Sequence, residues 1–123
     1  MNVLLSIKPE FADKILAGTK RYEFRRSVPS SWEIPIRVFI YTSHPRKRIV
    51  AYPTATEILR ESPSILWDKC QDSAGIGRQR FLTYFQGKTR GNALVIDDIR
   101  LLPHPADPRE LIKSEFVGPQ SFC

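Results

Sequence analysis

The chain begins with alternating apolar and polar blocks, each with its own period. Val3-Leu4-Leu5-Ser6-Ile7 is a short apolar run that predicts a buried strand. Lys8-Pro9 switches the period. Pro9 suits a first helical turn, and Glu10 and Asp13 complement the positive helix N-terminus. Phe11, Ile15 and Leu16 then form one apolar face, and Gly18 predicts a left-handed cap that ends the helix. Over residues 21–25, Tyr22 and Phe24 alternate with Arg21, Glu23 and Arg25, the period of a strand. Residues 27–35 read as a loop, 37–41 as a β-prone strand, and 42–48 as a basic loop. Residues 49–58 read as one longer strand, in which Pro53 marks a bulge or an edge position.

Ser62-Pro63 is a cap followed by a first-turn proline, opening a helix that carries Ile65, Leu66 and Trp67. Gly75-Ile76-Gly77 interrupts; it is too short and misplaced for a phosphate-binding loop. A further helix over 78–85 carries Phe81, Leu82 and Phe85. Residues 93–96 and 99–102 read as strands around Asp97-Asp98, 103–108 as a loop, and 107–112 as a short helix; the tail from Glu115 has no period. There is no internal repeat, low-complexity tract or linker, so the 123 residues form a single domain, 1–123. Five or six short strands with helices between them predict an α+β fold built as a small curved sheet or barrel.

With 41% hydrophobic residues the chain can build a real core. No apolar run is long enough to span a bilayer, and MNVLLSIKPE lacks the parts of a secretory signal. The expectation is a cytoplasmic protein with no membrane partner. Cys70 and Cys123 form no CxxC pair, and His44 and His104 each sit beside a proline, so no metal, cofactor or structural disulfide is expected. The charge is more informative. Residues 1–50 hold ten Lys or Arg against four Asp or Glu, whereas residues 51–123 hold nine of each, so the whole net charge of +6 lies in the first two-fifths of the chain. Such a field attracts polyanions, nucleic acid foremost, although +6 is also ordinary for a soluble basic surface.

Within that basic half, GTKRYEFRR (Gly18 to Arg26) is the leading functional segment. Alternation places Glu23 and Arg25 on one side of a strand and Tyr22 and Phe24 on the other, with the aromatic side the better core candidate. Lys20, just past the helix cap, is free to swing toward Glu23. A lysine near a carboxylate in a cleft serves as a phosphate anchor, or as a proton carrier or nucleophile when burial lowers its pKa. A solvated strand with paired charges is the plain alternative.

The run SIKPEFADKILAGTKRYEFRR resembles the opening of an ASCH domain, a branch of the PUA-like superfamily. Its strand–helix–Gly context carries the G-x-K-x-x-E-x-R pattern on Gly18, Lys20, Glu23 and Arg25. The segments IYTSHPRKRIVA, EILRESPSILW and the tail Gly118-Pro119-Gln120-Ser121-Phe122 resemble the same subgroup. The resemblance implies a small PUA-like β-barrel with helices at its rim and a cleft, lined by the motif, that faces RNA or a nucleotide-like ligand. Some ASCH proteins are enzymes: one kind removes the acetyl group from N4-acetylcytidine with a lysine, a threonine and a glutamate, and another is a ribonuclease. Carried over, the lysine falls on Lys20, while the threonine position holds Glu23; Glu57 is the candidate acidic partner.

Candidate nucleic-acid contacts are therefore Lys8, Lys20, Arg21, Glu23, Arg25 and Arg26, with Ser43, Arg46, Lys47 and Arg48 in the basic loop. Trp32, in a Ser/Pro-rich loop, is a candidate for base stacking or a loop anchor, whereas Trp67 reads as core. Gln120 and Ser121 suit a base edge or phosphate if the tail returns to the cleft. The expected function is nucleic-acid binding, RNA first and DNA as the alternative polyanion, with a regulatory role. The competing expectation is a hydrolase of a modified nucleoside or of RNA, with Lys20, Glu23 and Glu57 catalytic.

Overall fold

The computed structural model describes residues 1–109. Strand β1 (Asn2–Ile7) is the expected apolar run and pairs in parallel with β3 (Ile36–Thr42), in register from Asn2 opposite Arg37 to Ile7 opposite Thr42. A parallel pair needs a crossover. Helix α1 (Pro9–Leu16) and strand β2 (Tyr22–Arg25) lie in that connection. Pro9 occupies the first turn of α1, and Gly18 ends the segment at φ +81°, a left-handed geometry that glycine adopts without penalty.

Strands β4 (Arg48–Ala51) and β5 (Thr54–Glu61) replace the single strand expected over 49–58. Tyr52-Pro53 divides them. Pro53 has no N–H to give, but its carbonyl accepts from Val38 N at 2.9 Å, so the break sits against β3 without losing a ladder bond. Both pieces pair with β3: β5 along Ile36 and Arg37, β4 along Ile40 to Thr42. Strand β6 (Gly91–Asp97) joins β5 to β2, and β7 (Leu101–Ala106) closes the far edge against β4. The order is β2-β6-β5-β3-β4-β7, with β1 also on β3, making seven strands among the described residues. Register shifts at Ile40/Tyr41, Ile49/Ala51 and Ala55/Glu57 bend the strands, and the sheet curls into a half-barrel, the α+β class expected. β7 runs through Pro103 and Pro105, which were expected in a loop; as an edge strand it has a free side where a missing N–H is tolerated. Of the expected 107–112 helix, residues 110–112 lie outside the described residues, as does the tail.

Helix α2 (Pro63–Cys70) is capped as predicted, Ser62 Oγ accepting from Ile65 N at 3.4 Å. It runs into a single 3₁₀ turn, Gln71–Ser73, before α3 (Arg78–Tyr84). Two apolar clusters result. One joins β1, α1, β3 and β6 through Val3, Leu5, Ile15, Val38 and Leu94. The other packs α2 and α3 on β2 and β6 through Leu66, Cys70, Phe81, Phe85, Phe24 and Ala93. Phe24 meets Phe81 edge-on at 4.9 Å. Trp67 packs into this second cluster, tilted against Phe81 at 5.1 Å. Leu82 does not join the Phe81–Phe85 stripe and is 38% exposed. One residue is about 100° of helix rotation, which turns Leu82 out of the stripe that the i, i+4 pair shares.

Truncating Phe81, fully buried in the second cluster, should cost about 3–5 kcal/mol as Phe81→Ala, whereas Leu82→Ala should stay within about 0.5–1 kcal/mol. Urea denaturation of the two variants measures both.

Candidate functional site

β2 occupies one edge of the sheet with α3 laid across it. Tyr84 fixes that contact: its hydroxyl donates to Phe24 O at 3.1 Å and accepts from Arg26 N at 3.2 Å. The guanidinium of Arg26 donates to Tyr84 O at 2.7 Å and Gln86 O at 3.0 Å, placing a cation on the negative C-terminal end of α3. Arg26, expected as a nucleic-acid contact, is thus engaged within the protein.

A cavity of about 290 Å³ opens between α1, β2 and α3, at the C-terminal end of β1. Phe11, Phe24, Ile76 and Tyr84 supply its apolar walls; Lys8, Lys20, Glu23, Arg25 and Arg80 supply its charge. Strand alternation correctly placed Glu23 and Arg25 on one side, but that side is not solvated. Glu23 is 7% and Arg25 5% exposed, and Arg25 donates to Glu23 Oε2 at 3.1 Å. Glu23 shares its side of the sheet with its cross-strand partner Leu94, a member of the first cluster with β1, α1 and β3, so the inner face of the curled sheet covers what the strand's own pattern left open. Burial raises the Glu23 carboxyl above the ordinary carboxylate range, while Arg25 and Lys20 pull it back down.

Lys20 is the most deeply buried cation among the described residues, only 3% exposed. Its Nζ donates to Ala74 O at 2.6 Å and stands over the rings of Phe24 at 4.7 Å and Phe11 at 5.3 Å. Desolvation is the main reason its ammonium titrates near 8 rather than 10.5; the nearby Glu23 opposes that fall and Lys14 adds to it. An ammonium has three N–H groups, and Ala74 takes one within the described residues. Lys8, exposed at the mouth, makes no ion pair among the described residues. Arg80 is shared at the rim, 2.7 Å from Glu10 and with its guanidinium over Phe11 at 4.7 Å.

Sequence-predicted residues divide accordingly. Lys8, Lys20, Glu23 and Arg25 converge on the cavity. Arg21 is exposed and lines a second hollow together with Lys20, Asp97 and Asp98. Glu57, the expected acidic partner of Lys20, is exposed on β5 opposite Val95 and does not line the cavity. Trp32 is half-buried against the first cluster and lies outside the cavity lining. Arg46 is held by Asp13 through two hydrogen bonds of 2.7 and 3.1 Å, and Arg48 donates to Lys47 O at 2.9 Å. Ser43 and Lys47 lie in the turn between β3 and β4, away from the cavity lining. Gln120 and Ser121 lie outside the described residues.

Sequence reasoning missed Ser6, Phe11, Ile76, Arg80, Thr83 and Tyr84 as lining residues. One signal was available: Arg80, Thr83 and Tyr84 stand at i, i+3 and i+4 on α3, a polar stripe beside the Phe81–Phe85 stripe.

Comparison with known proteins matches the ASCH domain family model over residues 5–96. The chain is similar to the ASCH domain-containing ribonuclease of Zymomonas mobilis, 29% identical over 120 residues that make up 97% of this chain and 80% of that protein. It superimposes on the crystal structure of ASCH from Zymomonas mobilis with a TM-score of 0.83 at 29% identity, covering 98% of this chain and 84% of that one. A tyrosine-to-phenylalanine variant of the Zymomonas protein gives the same TM-score of 0.83 at 28% identity, with 98% and 86% covered.

Between about pH 8 and 10.5 the folded chain has released the Lys20 proton while the unfolded chain still holds it. Stability therefore rises with pH across that window, and below about 8 the buried ammonium weighs fully against the fold. Lys20→Met should equal or exceed the wild type in stability at pH 7. That advantage should shrink by about 2–4 kcal/mol as pH rises to about 10.5, in urea titrations of both proteins across the range.

Proposed function

The chain belongs to the ASCH domain family, and on that premise we propose that it binds RNA, seating one nucleotide of a single strand in the cavity over β2. The observation that carries this reading is the buried Lys20 ammonium, with N–H groups left over and aromatic rings on two sides. Holding a cation there opposes folding, so its presence calls for an anionic ligand. Phe11, Phe24 and Tyr84 offer apolar surface for a base. Lys20 and Lys8 offer charge to a phosphate, and Glu23 can accept a hydrogen bond from a base edge. The Zymomonas relative, named a ribonuclease, supports RNA as the polymer.

One observation favours a second reading, RNA hydrolysis at the same site. A lysine titrating near 8 is poised as a general base at neutral pH, able to take a proton from a 2′-hydroxyl or water in the transition state. The nucleoside amidohydrolase alternative has no comparable support, since Glu23 stands at the threonine position and Glu57 is outside the cavity.

Fluorescence anisotropy with a labelled single-stranded RNA tests the proposal. Lys20→Ala should weaken binding by about tenfold or more, as expected for loss of one desolvated phosphate contact. Wild-type affinity should fall as pH rises through about 8, where the ammonium loses its charge, while Lys20→Arg should stay charged and show no such midpoint. Equal binding by wild type and Lys20→Ala would overturn the reading. Incubation of a mixed-sequence RNA with both proteins, read on a denaturing gel, tests hydrolysis: cleavage by wild type and none by Lys20→Ala is expected.

A further inference from the structure

We infer that the short turn between α2 and α3, Ser73-Ala74-Gly75, is the positioning element of Lys20: its backbone carbonyls and the missing side chain at Gly75 fix where the ammonium stands in the cavity. Three successive carbonyls of this turn each receive a donor from the α1–β2 segment. Arg21 N donates to Ser73 O at 2.9 Å, Lys20 Nζ to Ala74 O at 2.6 Å, and Lys14 Nζ to Gly75 O at 3.1 Å. The turn is distant in sequence, 54 residues from Lys20 at Ala74, yet it grips this one segment three times.

Gly75 is where the fit is tightest. A Cβ there would lie 2.6 Å from Lys20 Cβ, 2.6 Å from Cγ and 2.7 Å from Cδ. These are the root of the side chain rather than its mobile end, so the lysine as a whole would have to move. Gly75 also holds φ +68°, which a side chain adopts only under strain. The bare backbone at Gly75 therefore acts as a lid pressed against the stem of Lys20. It shields the stem from water and leaves the ammonium one fixed acceptor, Ala74 O. The other groups that bear on the ammonium are Glu23 on β2, Lys14 on α1 and Cys70 on α2, while Arg25 on β2, Lys8 before α1 and Arg80 on α3 share the cavity lining with it. The turn thereby governs both the direction of the ammonium and its proton affinity, in a cavity to which Gly75 contributes no side chain.

The inference deepens the RNA reading and rests on it for its meaning, but its first readout involves no RNA. The Lys20 midpoint is measured by NMR on the full chain. Gly75→Ala should push Lys20 out toward water and raise its midpoint from about 8 by about one unit, toward the ordinary lysine value. Gly87→Ala is the matched control. Gly87 has a similar left-handed φ of +85° with nothing within 4 Å of an added Cβ, so it should pay the backbone strain and leave the Lys20 midpoint alone. An unmoved midpoint in a folded Gly75→Ala, or the same rise in Gly87→Ala, would overturn the inference.

Stability coupling covers the case in which Gly75→Ala is too unstable to titrate. Lys20→Ala removes Cγ and Cδ, two of the three atoms the new Cβ would strike, so Gly75→Ala should be less destabilising in that background. Equal destabilisation in both backgrounds would overturn the inference. RNA binding separates it from the broader reading. If Lys20→Ala binds RNA like the wild type, the RNA reading fails, while a raised midpoint in Gly75→Ala still supports positioning by the turn. If Lys20→Ala loses RNA and the Gly75→Ala midpoint stays at about 8, positioning alone fails.

Discussion

A primary ammonium stripped of most of its water sits at the junction of the two apolar clusters, and the elements around it are arranged to make that tolerable. Two aromatic faces, one carbonyl and a buried ion pair replace the hydration that Lys20 gives up. None of these compensates fully, which is why its proton is held less tightly than on a free lysine. The placement of α3 across β2, the Tyr84 bridge and the 73–75 turn all contribute to this one burial. The site is therefore a property of how the helices are docked on the sheet edge more than of any single motif residue.

The ion pair beside it has a different character. Glu23 and Arg25 are two apart on one strand, so their mutual approach is set by local backbone geometry. Neutralising each other, they leave Lys20 and the exposed Lys8 as the main source of net positive potential in the cavity, with Arg80 shared with Glu10. A carboxylate held above its usual pKa next to an ammonium held below its own narrows the gap between the two proton affinities.

Much of the fold was legible because it follows from local rules. Pro9 and Gly18 bracket α1, Ser62-Pro63 opens α2, and the Phe81–Phe85 spacing marks the buried face of α3. Reading failed where the outcome depends on what is packed on top. Alternation gives the sides of β2 but not which side is covered, so Glu23 and Arg25 looked equally suited to solvent. The break at Tyr52-Pro53 was read as a bulge or an edge position within one strand, because a proline's effect depends on whether a neighbouring strand needs its N–H. Lys20 was singled out from its motif, yet its acceptor, Ala74 O, belongs to a turn with no chemical signature of its own. Glu57 was nominated as the acidic partner that the resemblance implies; it is exposed on β5, outside the cavity lining. Arg46 was counted among the cations for a ligand, but Asp13 already holds it.

That last pairing bears on how the proposed RNA binding would respond to ionic strength. Arg46–Asp13 and Arg80–Glu10 tie the solvent side of α1 to the β3–β4 turn and to α3, at two separate points. Both are surface contacts that dissolved ions weaken. On the RNA-binding proposal, added salt would act twice, once by competing with the strand and once by weakening the contacts that hold the helix forming one wall of the cavity. On that proposal a phosphate reaching Arg80 would displace Glu10, exchanging one anion for another and releasing fewer counterions than a bare cation would. The slope of affinity against salt would then report rearranged internal contacts together with phosphates bound, and the number of basic residues in the chain would overstate the charge available to a strand.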